Sequence, residues 1–383
     1  MTKVGIAPGR FRLCFGLLLV LVRVQAADLY VSTRGSDSDP GTQARPFRTI
    51  TYAYSKAAAG TTIHVLPGVY HDYTVRWGIR LGSDGKASHP IVLKSTVRGA
   101  AVIDGRNASD RNRGFHIDGN HHVVDGFEIR NCPNGGISIW SDGNLVINND
   151  IHHNGNPASS STNGKDGLYS NEGTRDNHYV ANSIHDNGRP GSNLDHGLYL
   201  CGQNERVINN VLFRNAATGL QIAGYKTVSN MKVYNNVMAC NGTSGIVLWM
   251  ALDGVEIKNN ILYRNGNYGL NSYDAHGKGV VVDHNLCFEN GGGDYNFTAG
   301  NSDYAYTLGR TISADPRFVN GVAAGFDPHL GTGSPALRAG LNLGAAFATD
   351  KDGAARPATG PWDLGAYVSG GGATPPASSG IQQ

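Results

Sequence analysis

Residues 207–215 read VINNVLFRN, and the same nine-residue frame recurs along the chain. It appears as VVDGFEIRN at 123–131, VINNDIHHN at 146–154, VYNNVMACN at 233–241, IKNNILYRN at 257–265 and VDHNLCFEN at 282–290. A form one residue shorter, VANSIHDN, fills 180–187. Each copy closes on Asn, at 131, 154, 187, 215, 241, 265 and 290, and an inner Asn recurs at 149, 182, 210, 236, 260 and 285. After each closing Asn a Gly opens a short alternating run: GISIW at 136, GLYSN at 167, GLYLC at 197, GLQIA at 219, GIVLW at 245 and GLNSY at 269. Alternation with period two describes strands with one buried face. Repeats about 22–33 residues apart describe a coil that stacks on itself.

The predicted fold is therefore all-β, a right-handed parallel β-helix (a solenoid). Its Val, Ile and Leu columns fill the interior, and its Asn columns form amide ladders from coil to coil. The 53 glycines and many asparagines suit a chain that turns at short intervals, because both tolerate left-handed backbone. Upstream, TTIHVLP (61–67), IVLKS (91–95) and AVID (101–104) read as irregular early coils. TITYAYSKAA at 49–58 has helical spacing and is expected to be a short N-terminal capping helix. FDPHL (326–330) and SPAL (334–337) are expected to close the opposite end.

Residues 1–26 have the pattern of a secretory signal: a basic start (Lys3, Arg10, Arg12), an apolar run Leu13–Val22, and small residues before a cleavage point. The predicted organisation is a signal peptide at 1–26, the β-helix domain at 27–369 and a Gly/Pro/Ser-rich tail at 370–383. The expected product is secreted, extracellular or periplasmic, and monomeric. No later run approaches the ~20 apolar residues of a membrane helix. Without residues 1–26 the chain has 28 Lys+Arg against 30 Asp+Glu, and no basic block supports nucleic-acid binding. Cys132, Cys201, Cys240 and Cys287 lack metal-site spacing and read as packing residues, with oxidation as the alternative.

The connections between closing Asn and strand Gly hold 4, 12, 9, 3, 3 and 3 residues in order. Two adjacent coils thus carry long loops, 155–166 and 188–196, and function concentrates on long loops over a rigid scaffold. They end Lys165-Asp166-Gly167-Leu168-Tyr169 and Asp195-His196-Gly197-Leu198-Tyr199. With the leucines inward, Tyr169 and Tyr199 point out, and His152 and His185 fall on outward parity in the strands before the loops. All are expected around one patch. Trp140, Tyr169, Tyr199, Gln221, Trp249 and Tyr273 are expected to form a strip suited to a sugar chain, or a purely structural stack.

The stretch LYVSTRGSDSDPGTQARPFRTI (29–50), with Gly68-Val69-Tyr70 and HPIVLKS (89–95), resembles the opening of secreted pectate-lyase-like β-helix proteins. It is most similar to the family 9 polysaccharide lyases and their uncharacterised relatives. The resemblance implies cleavage of a uronic-acid polysaccharide, pectin- or alginate-like, by β-elimination. It also implies a lysine base and Ca2+ held by clustered aspartates. Lys165 and Asp166 match that picture loosely, Asp195 is the second candidate ligand, and the second loop ends Asp-His-Gly instead of in an acidic cluster.

In the residues themselves, Lys165 or Arg189 can meet a carboxylate, His196 or Lys165 can serve as base, and Tyr169 or Tyr199 can donate a proton. Asp166 and Asp195 offer a carboxylate pair for a glycoside hydrolase. A C5-epimerase needs much the same groups as a lyase, and a non-catalytic carbohydrate-binding solenoid needs only the aromatic strip.

Overall fold

A computed structural model describes residue 1 and residues 28–370, apart from 74–76, 110, 156–163, 298–304 and 323. The signal segment and the tail beyond 370 lie outside the described residues. So does most of the first long loop.

The nine-residue frame contains two strands and the corner between them. In VINNVLFRN, Arg206–Ile208 is a strand of one sheet and Val211–Phe213 a strand of the next. Asn209 takes the left-handed conformation between them (φ 56°), and Arg214 does so after the second strand (φ 52°). A left-handed residue followed by Asn thus makes both corners of the frame from 146–154 onward, whereas in the 123–131 copy Phe127 and Cys132 follow the left-handed Gly126 and Asn131. Stacked coils pair in parallel into sheets of eleven, ten and nine strands, with one two-stranded antiparallel pair besides, among the described residues. The early segments are regular members: Thr62–Val65 and Ile91–Ser95 pair in the eleven-stranded sheet, and Ala101–Asp104 joins the ten-stranded one.

The inner Asn column is continuous. Asn149, Asn182, Asn210, Asn236 and Asn260 each pass Nδ2 to the Oδ1 of the next at 2.9–3.1 Å, and the column ends on Asn285. The backbone N–H of each donates to the same oxygen, at 2.8–3.0 Å. The closing Asn column repeats this from Asn154 to Asn290. These amides are buried, so their pairing removes a desolvation penalty. A third, shorter column runs from Asn144 to Asn177 and ends on the buried Glu205. Ser170, Thr174 and Tyr179 also donate to Glu205, and burial pushes its carboxyl up to about 7.

Helix Ile50–Ser55 starts at the N-cap Thr49, whose hydroxyl accepts from the Tyr52 N–H, and buries Ile50, Ala53 and Tyr54. The C-terminal segment does not close the far end as expected. Asp327–Leu330 pairs with Phe318–Asn320, and the chain then folds back along the side of the ten-stranded sheet. The cause is an apolar outer face: Val211, Val237, Ala239, Ile261 and Tyr263 are covered by Ala336, Leu364, Ala366 and Tyr367. The corner asparagines anchor it, with Asn209 donating to the Thr349 carbonyl and Asn235 to those of Asp363 and Gly365. All four described cysteines are free.

Asn210→Ala removes a rung that Asn182 donates to and that itself donates to Asn236, Tyr179 and Ile208. Urea unfolding should show a loss of roughly 1–3 kcal/mol. An unchanged midpoint would mean that the ladder does not stabilise the stack.

Candidate functional site

The two long loops deliver their ends to neighbouring strands of the nine-stranded sheet. Leu168 lies opposite Leu198 and Tyr169 opposite Tyr199. Counting back from that register, Asp166 shares a level with His196, and Lys165 with Asp195. Their side chains cross between the coils: Asp195 Oδ1 accepts from the Lys165 N–H and Asp166 Oδ1 from the His196 N–H, both at 2.9 Å. The expected carboxylate pair Asp166/Asp195 is therefore displaced by one residue.

The two acids have opposite electrostatics. Asp195 is fully buried, and burial alone would raise its pKa. Arg189 overrides this, donating its N–H and Nε to Oδ2 and its Nη2 to Oδ1 at 2.7–2.8 Å, and holds the carboxyl below the usual range. Asp195 is thus paired within its own loop, and Arg189, expected to meet substrate, is engaged by it. Asp166, also buried, has no such partner. Burial pushes its carboxyl up to about 7, offset only in part by the His196 N–H and the neighbouring Arg113.

Burial also drives His196 down to about 4, so its ring is neutral at ordinary pH. The Thr218 N–H points at Nδ1 from 3.4 Å. With Nδ1 accepting there, the neutral ring carries its proton on Nε2. Lys165 is buried, with Nζ donating to Asn134 Oδ1 at 2.5 Å.

The aromatic strip is real but differently composed. Trp77 stacks on His116 at 5.0 Å, and a continuous path runs through Trp140, Tyr169 and Tyr199 to His196 at 5.5–6.4 Å. Tyr169 donates its hydroxyl to Asn171 Oδ1 at 2.8 Å. Burial raises both tyrosine pKa values. Gln221 continues the tyrosine column, whereas Trp249 and Tyr273 face each other two residues further along the strands. Trp140 belongs to that second column. Sequence parity does not separate the two columns, because i and i+2 share a face.

His152 and His185 do not join the patch. They sit on the ten-stranded sheet, stacked at 4.9 Å, with Phe213 next in the pile. Glu128 holds His152, while Asp150 and Asp186 hold His185. Their outward parity was right, but the left-handed corners at His153 and Asp186 turn the chain before the loops begin. Sequence reasoning missed Arg113, His116 and Asn134. Arg113-Gly114-Phe115-His116 has the same frame as Asp166-Gly167-Leu168-Tyr169. The register places Arg113 on the level of Gly135, Asp166 and His196.

A calcium ion does not fit this donor set. Asp195 is occupied by a guanidinium, Asp166 lies beside another, and residues 155–166 and 188–196 contain no further carboxylate. No group of three or more His, Cys, Asp or Glu suited to a metal occurs among the described residues.

Arg189→Ala should leave the buried Asp195 carboxylate short of charge and lower stability by about 3 kcal/mol. Thermal melts at pH 7 check this. Asp195 has a depressed folded pKa, so its contribution is present above the unfolded carboxylate range and is lost as pH falls through the folded value. The wild-type and mutant curves should therefore converge in acid.

Residues 29–193 match the family model described as Pel9A-like, right handed beta helix region. Among curated proteins, the chain is 41% identical over 83 residues to the uncharacterized protein YwoF of Bacillus subtilis (strain 168), which is 21% of this chain and 16% of that protein. It is 40% identical over 82 residues to pectate lyase PEL9 of Emericella nidulans, covering 21% of this chain and 19% of that protein. The matched stretches thus span less than a fifth of these relatives' lengths. The crystal structure of pectate lyase Pel9A superposes with a TM-score of 0.67 at 18% identity, covering 89% of this chain and 96% of that one. Residues 29–193 thus match the model of a Pel9A-like right-handed β-helix region, and the remaining coils continue the same parallel β-helix fold.

Proposed function

We propose that the protein is a polysaccharide lyase that cleaves a uronic-acid polymer, pectin- or alginate-like, by β-elimination over Tyr169 and Tyr199. The observation that carries this reading is Asp166, a buried carboxyl poised near neutrality between a guanidinium, a neutral imidazole and two protonated phenols. In β-elimination a base takes the proton from C5, and the electron pair forms the C4=C5 bond. The C4–O bond breaks, and the leaving oxygen receives a proton. Asp166, as carboxylate, takes the C5 proton, because a base with a pKa near the working pH is the most effective. Tyr199 gives its phenolic proton to the leaving oxygen, its raised pKa keeping it protonated for the purpose. The His196 N–H bond to Asp166 and the Lys165 bridge to Asn134 position the loop ends.

The pectate lyases among the relatives, PEL9 and pectate lyase L of Paenibacillus polymyxa, favour the same class. Hydrolysis would need a second available carboxylate, and Asp195 is locked by Arg189. The proposal includes export directed by residues 1–26.

The test is absorbance at 235 nm against polygalacturonate and alginate, with NMR of the polymer. New unsaturated ends support the lyase. Inverted C5 centres without cleavage would replace it by an epimerase, and saturated reducing ends would sink it in favour of a hydrolase. Turnover should rise with pH through about 7 as Asp166 ionises, and Asp166→Asn should cost about 10³-fold.

The same substitution should stabilise. A folded pKa raised above the unfolded value contributes most below about 4 and fades as pH climbs through 7. Asp166→Asn should therefore melt above wild type at pH 8, which differential scanning calorimetry would show.

A further inference from the structure

Arg113 is placed like a binding group and not like a structural one. It precedes the strand Phe115–Ile117, and Phe115, Ile137, Leu168 and Leu198 are in register. Arg113 is therefore level with Asp166 and His196, two and three coils on. The coil between contributes Gly135, in positive φ (111°), so no side chain separates Arg113 from Asp166. Arg113 Nη1 lies 3.4 Å from where a Cβ on Gly135 would stand, so the guanidinium already extends into that gap.

Among the described residues its guanidinium makes no hydrogen bond, and Nε is buried without a partner. A buried donor left unpaired carries a desolvation penalty that a ligand can remove. The other two cations of the site are engaged: Lys165 with Asn134 and Arg189 with Asp195. On the opposite edge of the strands, a shallow depression is walled by Asp118, Asp142 and Glu172 beside Trp140, an unfavourable place for an anion. The electrostatics of the sheet therefore favour an anionic group on the Arg113 edge.

The geometry points to Arg113 as the fixed cation that receives the carboxylate of the bound uronate. A planar fork pairs with a carboxylate through two parallel hydrogen bonds. In a uronate the carboxyl carbon is attached to C5. A cation on that carboxylate therefore acidifies the C5–H while holding it toward Asp166. This inference rests on the polyuronate reading of the site and deepens it.

The experiment is calorimetric binding of hexagalacturonate and hexamannuronate, and of their methyl esters, to the full chain as Asp166→Asn, so that nothing is consumed. Each titration is run with excess EGTA and with added Ca2+. Arg113→Ala and Arg113→Lys are compared in that background, with melting curves for each. The expected result is uronate binding unaffected by EGTA, weakened at least about 10-fold in Arg113→Ala and partly retained in Arg113→Lys, with ester binding unchanged. Four results would overturn it: equal weakening for acid and ester, no weakening, binding abolished by EGTA, or no uronate bound at all. Failure of the lyase reading is separate. It would appear as uronate binding that depends on Arg113, with no 235 nm product from the chain bearing Asp166.

Discussion

Everything in the molecule depends on the buried amide columns. A parallel coil must turn its backbone at each corner and still leave no polar group stranded inside. Asn meets both needs at once: its Nδ2 and backbone N–H both donate to the Oδ1 of the next rung. The residue before each inner Asn takes the left-handed conformation, whether Asn209, Asn235, Asn259, Ala181 or His284. Side chains as different as Ala and His occupy that place. The constraint therefore belongs to the corner and its ladder, not to the left-handed residue.

The site uses the same rigidity for a different purpose. Asp166 and Asp195 are both buried, yet one is driven toward the neutral form and the other is held ionised. The difference is a matter of partners at fixed places. Arg189 returns within its own loop to cover Asp195, while the Gly135 coil leaves nothing over Asp166 except Arg113 at a distance. The lock and the poised acid come from a one-residue offset between neighbouring loop ends, which sets Asp195 level with Lys165 and Asp166 level with His196.

The architecture could be read from the chain because the repeat is written in side chains that only a stacked coil requires. The Asn columns from Asn149 and Asn154 onward, the inward Leu168 and Leu198, and the outward Tyr169 and Tyr199 stand where the pattern placed them, whereas Asn131 falls one residue short, at a left-handed corner, and Cys132 takes the ladder position. Facts that depend on angle instead of period were lost. Parity says that His185 faces out, but not that the corner at Asp186 points it away from the loops. It says nothing of the flank, where residues up to Tyr367 cover an apolar face that could have been suspected from Val211, Val237 and Ile261. Arg113 was within reach in the Arg-Gly-Phe-His frame. No long connection adjoins that coil to mark it. Burial, and with it the divergent behaviour of the two aspartates, has no signature in spacing.

The closing asparagines also decide what the molecule can become. Each connection starts at a rung clamped from both sides and ends at a strand glycine packed against the next coil, as at Asn187 and Gly197. Between those two points the ladder fixes no residue count, although the loop ends themselves bond across coils, as Asp195 does to the Lys165 N–H. That is how stretches of twelve, nine and three residues coexist in consecutive layers. A lineage could therefore exchange these inserts like interchangeable tool heads, acquiring a new specificity without refolding the shaft that carries them.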